Sequence, residues 1–193
     1  ERRAPALKTV EDATEIRRRI LMAFEVAERE TDPRKIREWL TFVVVGGGPT
    51  GVELAGALAE IGCYTLRNEF RSINPRHARI VLLEGQERLL PSYPAGLSEK
   101  ARAQLEQISV TVRTCVLVTD IQPHAVTVRG DDQVETIPTR TVLWSAGVRA
   151  SPLGKLLADA AGVGVDRQGR VPVEPDLTVP GHPEVFVIGD LAN

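Results

Sequence analysis

Thr41-Phe-Val-Val-Val-Gly-Gly-Gly-Pro-Thr-Gly-Val-Glu53 decides the fold: an apolar run passes straight into glycines spaced Gly46-x-Gly48-x-x-Gly51 and then into a helical pattern. This order predicts a strand, a tight turn and a helix whose first turn faces the phosphates of a dinucleotide. Gly46 permits the sharp exit from the strand, Gly48 removes a side chain that would block a pyrophosphate, and Gly51 lets the helix pack closely on the sheet. The unpaired N–H groups and positive dipole end of the helix attract the anion. Pro49 and Thr50 open the helix, where a missing N–H is tolerated. With 16 glycines in 193 residues the spacing alone arises easily by chance, so its neighbours carry the reading. Downstream, Val52, Leu54, Ala55, Leu58, Ala59 and Ile61 recur at helical spacing.

The rest of the chain fits an α/β, Rossmann-like, three-layer domain with a parallel sheet and a β-meander. Upstream, a helix is expected over 9–30, with Thr9 and Asp12 as a capping box and Ile16, Ile20, Phe24 and Ala27 as its apolar stripe beside a solvated Arg17-Arg18-Arg19 face. Asp32-Pro33 starts a short helix ending at Trp39. The helix after the glycine turn is expected to run through Tyr64 and Phe70 before Asn74-Pro75 breaks it. Ile80-Val-Leu-Leu83 reads as a second buried parallel strand ending at Glu84-Gly85. A helix over 94–108 presents Leu97, Ala101, Leu105 and Ile108, and a third strand follows at 110–112. Alternation from Val116 to Val142 predicts an antiparallel meander, and Thr141-Val-Leu-Trp144 a further strand. Pro and Gly from Pro152 to Pro183 mark a loop-rich stretch before a last strand, Val185-Phe-Val-Ile188.

Composition narrows the function classes. A 42% apolar share with 26% charged residues suits a soluble globular protein, and a net charge of -2 gives no electrostatic case for nucleic acid. Cys63 and Cys115 form neither a C-x-x-C pair nor a metal-ligand cluster, and both are expected to be buried and inert. No run approaches the ~20 apolar residues of a membrane span. The opening Glu-Arg-Arg-Ala-Pro is not a signal peptide. A cytoplasmic location is expected.

Glu84 ends the second strand, where a carboxylate accepts hydrogen bonds from the adenosine ribose hydroxyls and repels a 2′-phosphate. It lies 38 residues after Gly46, beyond the roughly 20 usual for such an acid. The long helix and the 74–77 loop account for the excess; a solvent-facing glutamate is the plainer reading. Arg88 keeps a 2′-phosphate as an option. Glu53 is read either as an exposed first-turn carboxylate near the dipole or as a neighbour of the nicotinamide ribose. Gly147 either makes room for a dinucleotide or simply ends a strand.

The chain resembles the central part of a two-dinucleotide flavoprotein of the pyridine nucleotide-disulfide oxidoreductase superfamily. Gly46-Gly-Gly-Pro-Thr-Gly-Val-Glu53 is similar to the second glycine motif of that group, and Thr178 to Asp190, above all Val185-Phe-Val-Ile-Gly189-Asp190, to its distal flavin motif. Within it, Ala6 to Ile20, Val81-Leu-Leu-Glu-Gly85 and Trp144-Ser-Ala-Gly-Val148 resemble the type II NADH dehydrogenases. The resemblance implies a nicotinamide-binding domain over 41–148, a helical linker or partial FAD domain over 1–40 and a partial FAD-binding domain over 149–193. It implies NADH and FAD as cofactors, hydride transfer from NADH to flavin, and electrons passed on to quinone, with Glu53 and Gly147 at the nicotinamide end. Gly189 and Asp190 would serve the flavin ribityl chain. No residue needs to act as a nucleophile.

The chain lacks the first glycine motif of that superfamily. It is therefore expected to be a portion of a longer protein, binding NADH weakly, holding no flavin and catalysing nothing alone. The longer protein is expected to be peripheral on the inner face of the cell membrane, attached through segments outside this chain, and a homodimer is compatible with it. Two alternatives stand beside this reading: a soluble flavoprotein reductase with a protein acceptor, and a non-catalytic NADH-sensing module.

Overall fold

The computed structural model describes residues 4–7, 9–130, 133–147 and 150–193. Lys8 and Val148, within the stretches quoted above, lie outside the described residues, as do residues 1–3. The chain forms two compact units, Glu1–Ala146 and Gly147–Asn193.

In the first unit, α1 (Val10–Arg29) begins at the expected capping box: Thr9 Oγ1 accepts from Asp12 N–H, and the Asp12 carboxylate accepts from Thr9 N–H. α2 (Pro33–Trp39) starts under Asp32, which accepts from Arg34 N–H. The sheet contains β1 (Thr41–Val45), β2 (Arg79–Leu83), β3 (Val110–Arg113) and β7 (Thr141–Trp144), all parallel, in the order β3-β2-β1-β7. Residues of β1 and β2 alternate between two cores because successive side chains leave opposite faces. Phe42, Val44, Ile80 and Leu82 meet α1, α3 (Pro49–Glu60) and α4 (Ala95–Gln107), through residues such as Phe24, Leu58 and Leu105. Val43, Val45, Val81 and Leu83 instead meet Val126, Val128 and Ile137. These come from the expected antiparallel meander, β4 (Leu117–Gln122), β5 (Ala125–Gly130) and β6 (Gln133–Pro138). Helices, parallel sheet and meander are the three layers read from the sequence.

Thr139 ties the start of β7 to that of β1. Its buried Oγ1 donates to the Thr41 carbonyl at 2.6 Å and accepts from Thr141 N–H at 3.2 Å. Beside it Arg140 pairs with Glu38 at 3.0 Å and lies 4.9 Å over the Trp39 ring. Thr139→Val keeps the shape but removes the hydroxyl, leaving buried backbone groups short of a partner. A loss of about 1–3 kcal/mol is expected, measured by urea unfolding.

The helix after the glycine turn ends earlier than expected. α3 stops at Glu60, a π-helical turn covers Ile61–Thr65, and Phe70 lies outside the helix, its ring 6.0 Å from that of Phe24. A Cβ on the buried Gly62 would meet the Pro75 carbonyl oxygen at 2.9 Å, so the turn is pressed against the following loop. That loop is held by Glu28, whose carboxylate accepts from the N–H groups of Arg71, Ser72 and Ile73 at 3.0–3.1 Å. Burial alone would raise the Glu28 pKa, but the three N–H donors outweigh it and hold it below the ordinary carboxylate range. On α1, hydrogen bonds from Arg18 and Arg19 lower Glu15 to about 2. Both folded-state values are depressed, so their stabilisation is complete above the ordinary carboxylate pKa and drains away as pH falls, for Glu15 through about 2. Glu28→Gln is expected to flatten the acid limb of the stability curve without moving the neutral plateau by more than the lost bonds require, as followed by circular dichroism.

Three further expectations need correcting. Leu97 on α4 is 48% exposed, and Ser98 turns inward instead, its Oγ donating to the Leu89 carbonyl. Cys115 is exposed and Cys63 only half-buried, because Cys115 occupies a turn with φ +58 after β3 and Cys63 the π-helical turn. The stretch from Pro152 is not all loop. In the second unit α5 (Pro152–Ala161) starts under Ser151, with Pro152 at its first position, and ends at Gly162 with φ +68, so these residues are cap signals.

The remainder of that unit is a hairpin of β8 (Thr178–Val179) and β9 (His182–Phe186) around Val171, Val179 and Val187. β9 begins three residues before the expected strand, directly after Gly181 with φ +80, and ends at Phe186; Val187 N–H bonds to the Leu177 carbonyl. Among the described residues no helix is long and apolar enough to cross a membrane.

Candidate functional site

The site is built where β1 and β2 end. Gly46 N–H donates to the Leu83 carbonyl at 2.8 Å and its φ of +108 turns the chain out of the sheet. A Cβ there would stand 2.6 Å from Ala146 N, so the position requires glycine on two counts. At Gly51, a Cβ would collide with the Gly46 carbonyl oxygen and approach Ser145 Oγ to 2.6 Å. The helix thus rests directly on the turn it follows. At Gly48, the N-cap of α3, an added Cβ would meet nothing within 4 Å. Internal packing does not demand that glycine, and the space in front of its backbone is open. Pro49 is the first helical residue, Val52 N–H begins the ladder by donating to the Gly48 carbonyl, and the N–H groups of Thr50 and Gly51 precede it.

Glu84 closes the other side of the turn. Its Oε2 accepts from Gly47 N–H at 2.5 Å and its Oε1 from Gln86 N–H at 2.8 Å. A carboxylate accepts about four hydrogen bonds, so each oxygen keeps capacity for one more donor. Two vicinal hydroxyls would use it. Arg88 is turned away: its guanidinium donates to the carbonyls of Tyr93 and Pro91 and to Ser98 Oγ. Those bonds commit it to the loop before α4 and leave the carboxylate unaccompanied.

Two supporting residues escaped the sequence reading. Gly47 is as constrained as its neighbours, since a Cβ would meet Leu89 Cδ2 at 2.6 Å and Glu84 Oε2 at 3.0 Å. The run of three glycines signalled it, but the spacing rule passes over its middle member. Ser145 is buried and its Oγ bonds to the carbonyls of Val45 at 2.8 Å and Gly46 at 3.0 Å, pinning the turn to the end of β7. Nothing in its local sequence distinguishes it from an ordinary strand-ending serine.

Gly46, Gly48, Pro49, Thr50, Gly51 and Glu84 therefore converge at the C-terminal edge of the sheet. Glu53 is exposed and is the fifth residue of α3, beyond its first turn, so the dipole explanation loses most of its force. Gly147, Gly189 and Asp190 lie in the second unit. Gly147 and Gly189 both have φ +67 with open space where a Cβ would sit. Asp190 is exposed in the turn Gly189–Leu191 and its carboxylate has no partner among the described residues.

The sequence profile of the pyridine nucleotide-disulphide oxidoreductases matches residues 2–193. Among curated proteins, the chain is 47% identical over 190 residues to the type II NADH:quinone oxidoreductase Ndh of Mycobacterium tuberculosis, a match covering 98% of this chain and 41% of that protein. It is 48% identical over 190 residues to NdhA of the same organism, described in the same words, covering 97% of this chain and 40% of that protein. The chain thus spans about two fifths of the length of these relatives. Among solved structures, NDH2 from Plasmodium falciparum in complex with NADH superposes with a TM-score of 0.75 at 23% identity, over 98% of this chain and 39% of that one. Putidaredoxin reductase, in its covalent complex with putidaredoxin, superposes with a TM-score of 0.61 at 23% identity, over 97% of this chain and 37% of that one. These two likenesses speak for the fold.

Proposed function

The chain belongs to the pyridine nucleotide-disulphide oxidoreductase family, and on that premise we propose that it is the NADH-binding portion of an FAD-dependent type II NADH:quinone oxidoreductase. The observation that carries the proposal is the seating of Glu84 against Gly47, with two unused acceptor positions beside an open Gly48. On this reading residues 41–148 are the nicotinamide domain, 1–40 a helical linker or part of the flavin domain, with α1 packed on the sheet of the first unit, and 149–193 part of the flavin domain.

The first-turn N–H groups of Thr50 and Gly51 hold the pyrophosphate, and Gly48 lets it approach. Glu84 takes the adenosine ribose hydroxyls and disfavours a 2′-phosphate, while Arg88 is engaged elsewhere and offers that phosphate no partner. Glu53 and Gly147 serve the nicotinamide end. For FAD, the unpartnered Asp190 carboxylate next to Gly189 suits a hydroxyl-bearing chain, and it would hold the ribityl group there. Flavin, when bound, supplies a two-electron acceptor for the hydride of NADH and passes the electrons to quinone. This chain's residues contribute orientation and electrostatics, and none needs to form a covalent bond. The Mycobacterium tuberculosis relatives, named as NADH:quinone oxidoreductases, support quinone as the acceptor. A peripheral position on the inner face of the cell membrane and a homodimer complete the reading.

The test is purification of the whole protein with FAD, followed by NADH oxidation with a soluble quinone and with a ferredoxin-like protein as acceptors. Quinone reduction at rates well above those with the protein acceptor is expected. Reduction of the protein alone would move the chain to the soluble reductases, and no NADH oxidation with flavin bound would leave it a sensing module.

A further inference from the structure

A concavity of the first unit lies at the opposite end of the sheet from the glycine turn. β1 and β2 start in register at Thr41 and Arg79 and finish at Val45 and Leu83, so the two ends are about 13 Å apart along the strands. The cavity, about 730 Å³, is lined in part by the apolar residues Ile36, Leu40, Ile73 and Pro138. Its rim carries Arg34, Arg37, Arg79 and His77. None of the three guanidiniums has a carboxylate partner among the described residues. One carboxylate, Glu38, also lines the cavity, but it is committed to Arg140 at 3.0 Å, and Glu28 is committed to the backbone N–H groups of Arg71, Ser72 and Ile73. In a chain whose net charge is -2, three uncompensated arginines around one hollow are a local excess of positive charge.

Guanidinium forks match phosphate and carboxylate bidentately, and arginine desolvates more readily than lysine. Pockets of roughly 300–1,000 Å³ accept small molecules, burying their apolar part and fixing it with a few polar groups. We propose that this cavity is a second binding site, distinct from the glycine turn, for a small organic phosphate: a phosphoryl group set among Arg34, Arg37 and Arg79, with an apolar or aromatic body over Leu40, Ile73 and Pro138.

Phenyl phosphate is the probe, titrated calorimetrically into the whole flavin-loaded protein in the presence of saturating NAD⁺, which closes the glycine-turn site. Saturable binding is expected, weakened at least about tenfold in the Arg37→Gln/Arg79→Gln double variant, as loss of two charge-assisted contacts requires. It should be unchanged in Glu84→Ala. Both arginines are exposed, so the double variant should keep the thermal transition of the parent, and Arg37→Lys/Arg79→Lys should recover part of the affinity. The proposal fails if phenyl phosphate binds the double variant equally, if NAD⁺ abolishes its binding, or if phenol binds as well as its phosphate. A parallel arm with vesicles of phosphatidylglycerol in phosphatidylcholine tells a free phosphate from a lipid headgroup. Vesicle binding lost in the double variant, with no binding of phenyl phosphate, would also overturn a small-molecule site.

Discussion

Gly51→Ala in the whole protein is expected to abolish measurable NADH binding and to cost about 2–4 kcal/mol of stability, the range of an overpacked or strained core position. The added carbon has nowhere to go. On one side it runs into the Gly46 carbonyl oxygen, which is backbone and fixed by the φ of +108 at that residue; on the other it reaches Ser145 Oγ at 2.6 Å. Relief requires α3 to lift from the sheet, which moves the N–H groups of Thr50 and Gly51 away from the anion they are meant to face. Because the helix also packs Ala55, Leu58 and Ala59 into the core, displacement weakens the fold and the site together. Urea unfolding and NADH titration read the two losses separately. Gly48→Ala provides the contrast: nothing in the chain lies within 4 Å of its Cβ, so stability should hold within about 1 kcal/mol while NADH affinity still falls. A Gly51→Ala protein that binds NADH as the parent does would remove the close-packing role assigned to that residue.

Glu84→Ala is expected to weaken NADH binding by about 10- to 100-fold, as loss of hydrogen bonds to a charged group implies, and to leave NADPH binding much less affected. The loss has two sources. The ribose hydroxyls lose their acceptor, and Gly47 N–H and Gln86 N–H lose the carboxylate that holds the turn in shape. Glu84→Gln separates them, because an amide retains one acceptor oxygen but no longer repels a 2′-phosphate. Its preference for NADH over NADPH should narrow even if NADH affinity is partly kept. Equal preference for the two nucleotides in the parent protein, or unchanged affinity in Glu84→Ala, would exclude the ribose role.

Much of this was legible in the residues because the chain states its strands plainly. Phe42 to Val45 and Ile80 to Leu83 are apolar on both faces, as only central parallel strands need to be, and the meander announces itself in alternating valines. The glycine spacing pointed to Gly46 and Gly51, where a φ of +108 and the close approach of α3 to the Gly46 carbonyl require glycine, while Gly48 has open space where a Cβ would sit. Long-range demands were silent. The role of Gly47 depends on Glu84 and Leu89, roughly forty positions away in the chain; that of Ser145 depends on carbonyls a hundred positions earlier. The early end of α3 is set by Gly62 pressing on Pro75 and by Glu28 holding the loop beyond it. The misreading of Pro152 and Gly162 as loop punctuation has a different origin. Both residues break helices from within and bracket them from outside, and only the Ser151 cap and the left-handed Gly162 show which applies.

The chain's two tryptophans stand at the two ends of one sheet. Trp144 closes β7 in register with Val45, next to the glycine turn, while Trp39 sits under Arg140 just before β1 begins. The molecule thereby carries a built-in optical ruler. Indole emission overlaps the absorption of reduced nicotinamide, so a reduced dinucleotide bound at the turn would quench both indoles, and only single-indole variants would separate the two contributions. Replacing either indole with phenylalanine turns the remaining one into a reporter of a single end.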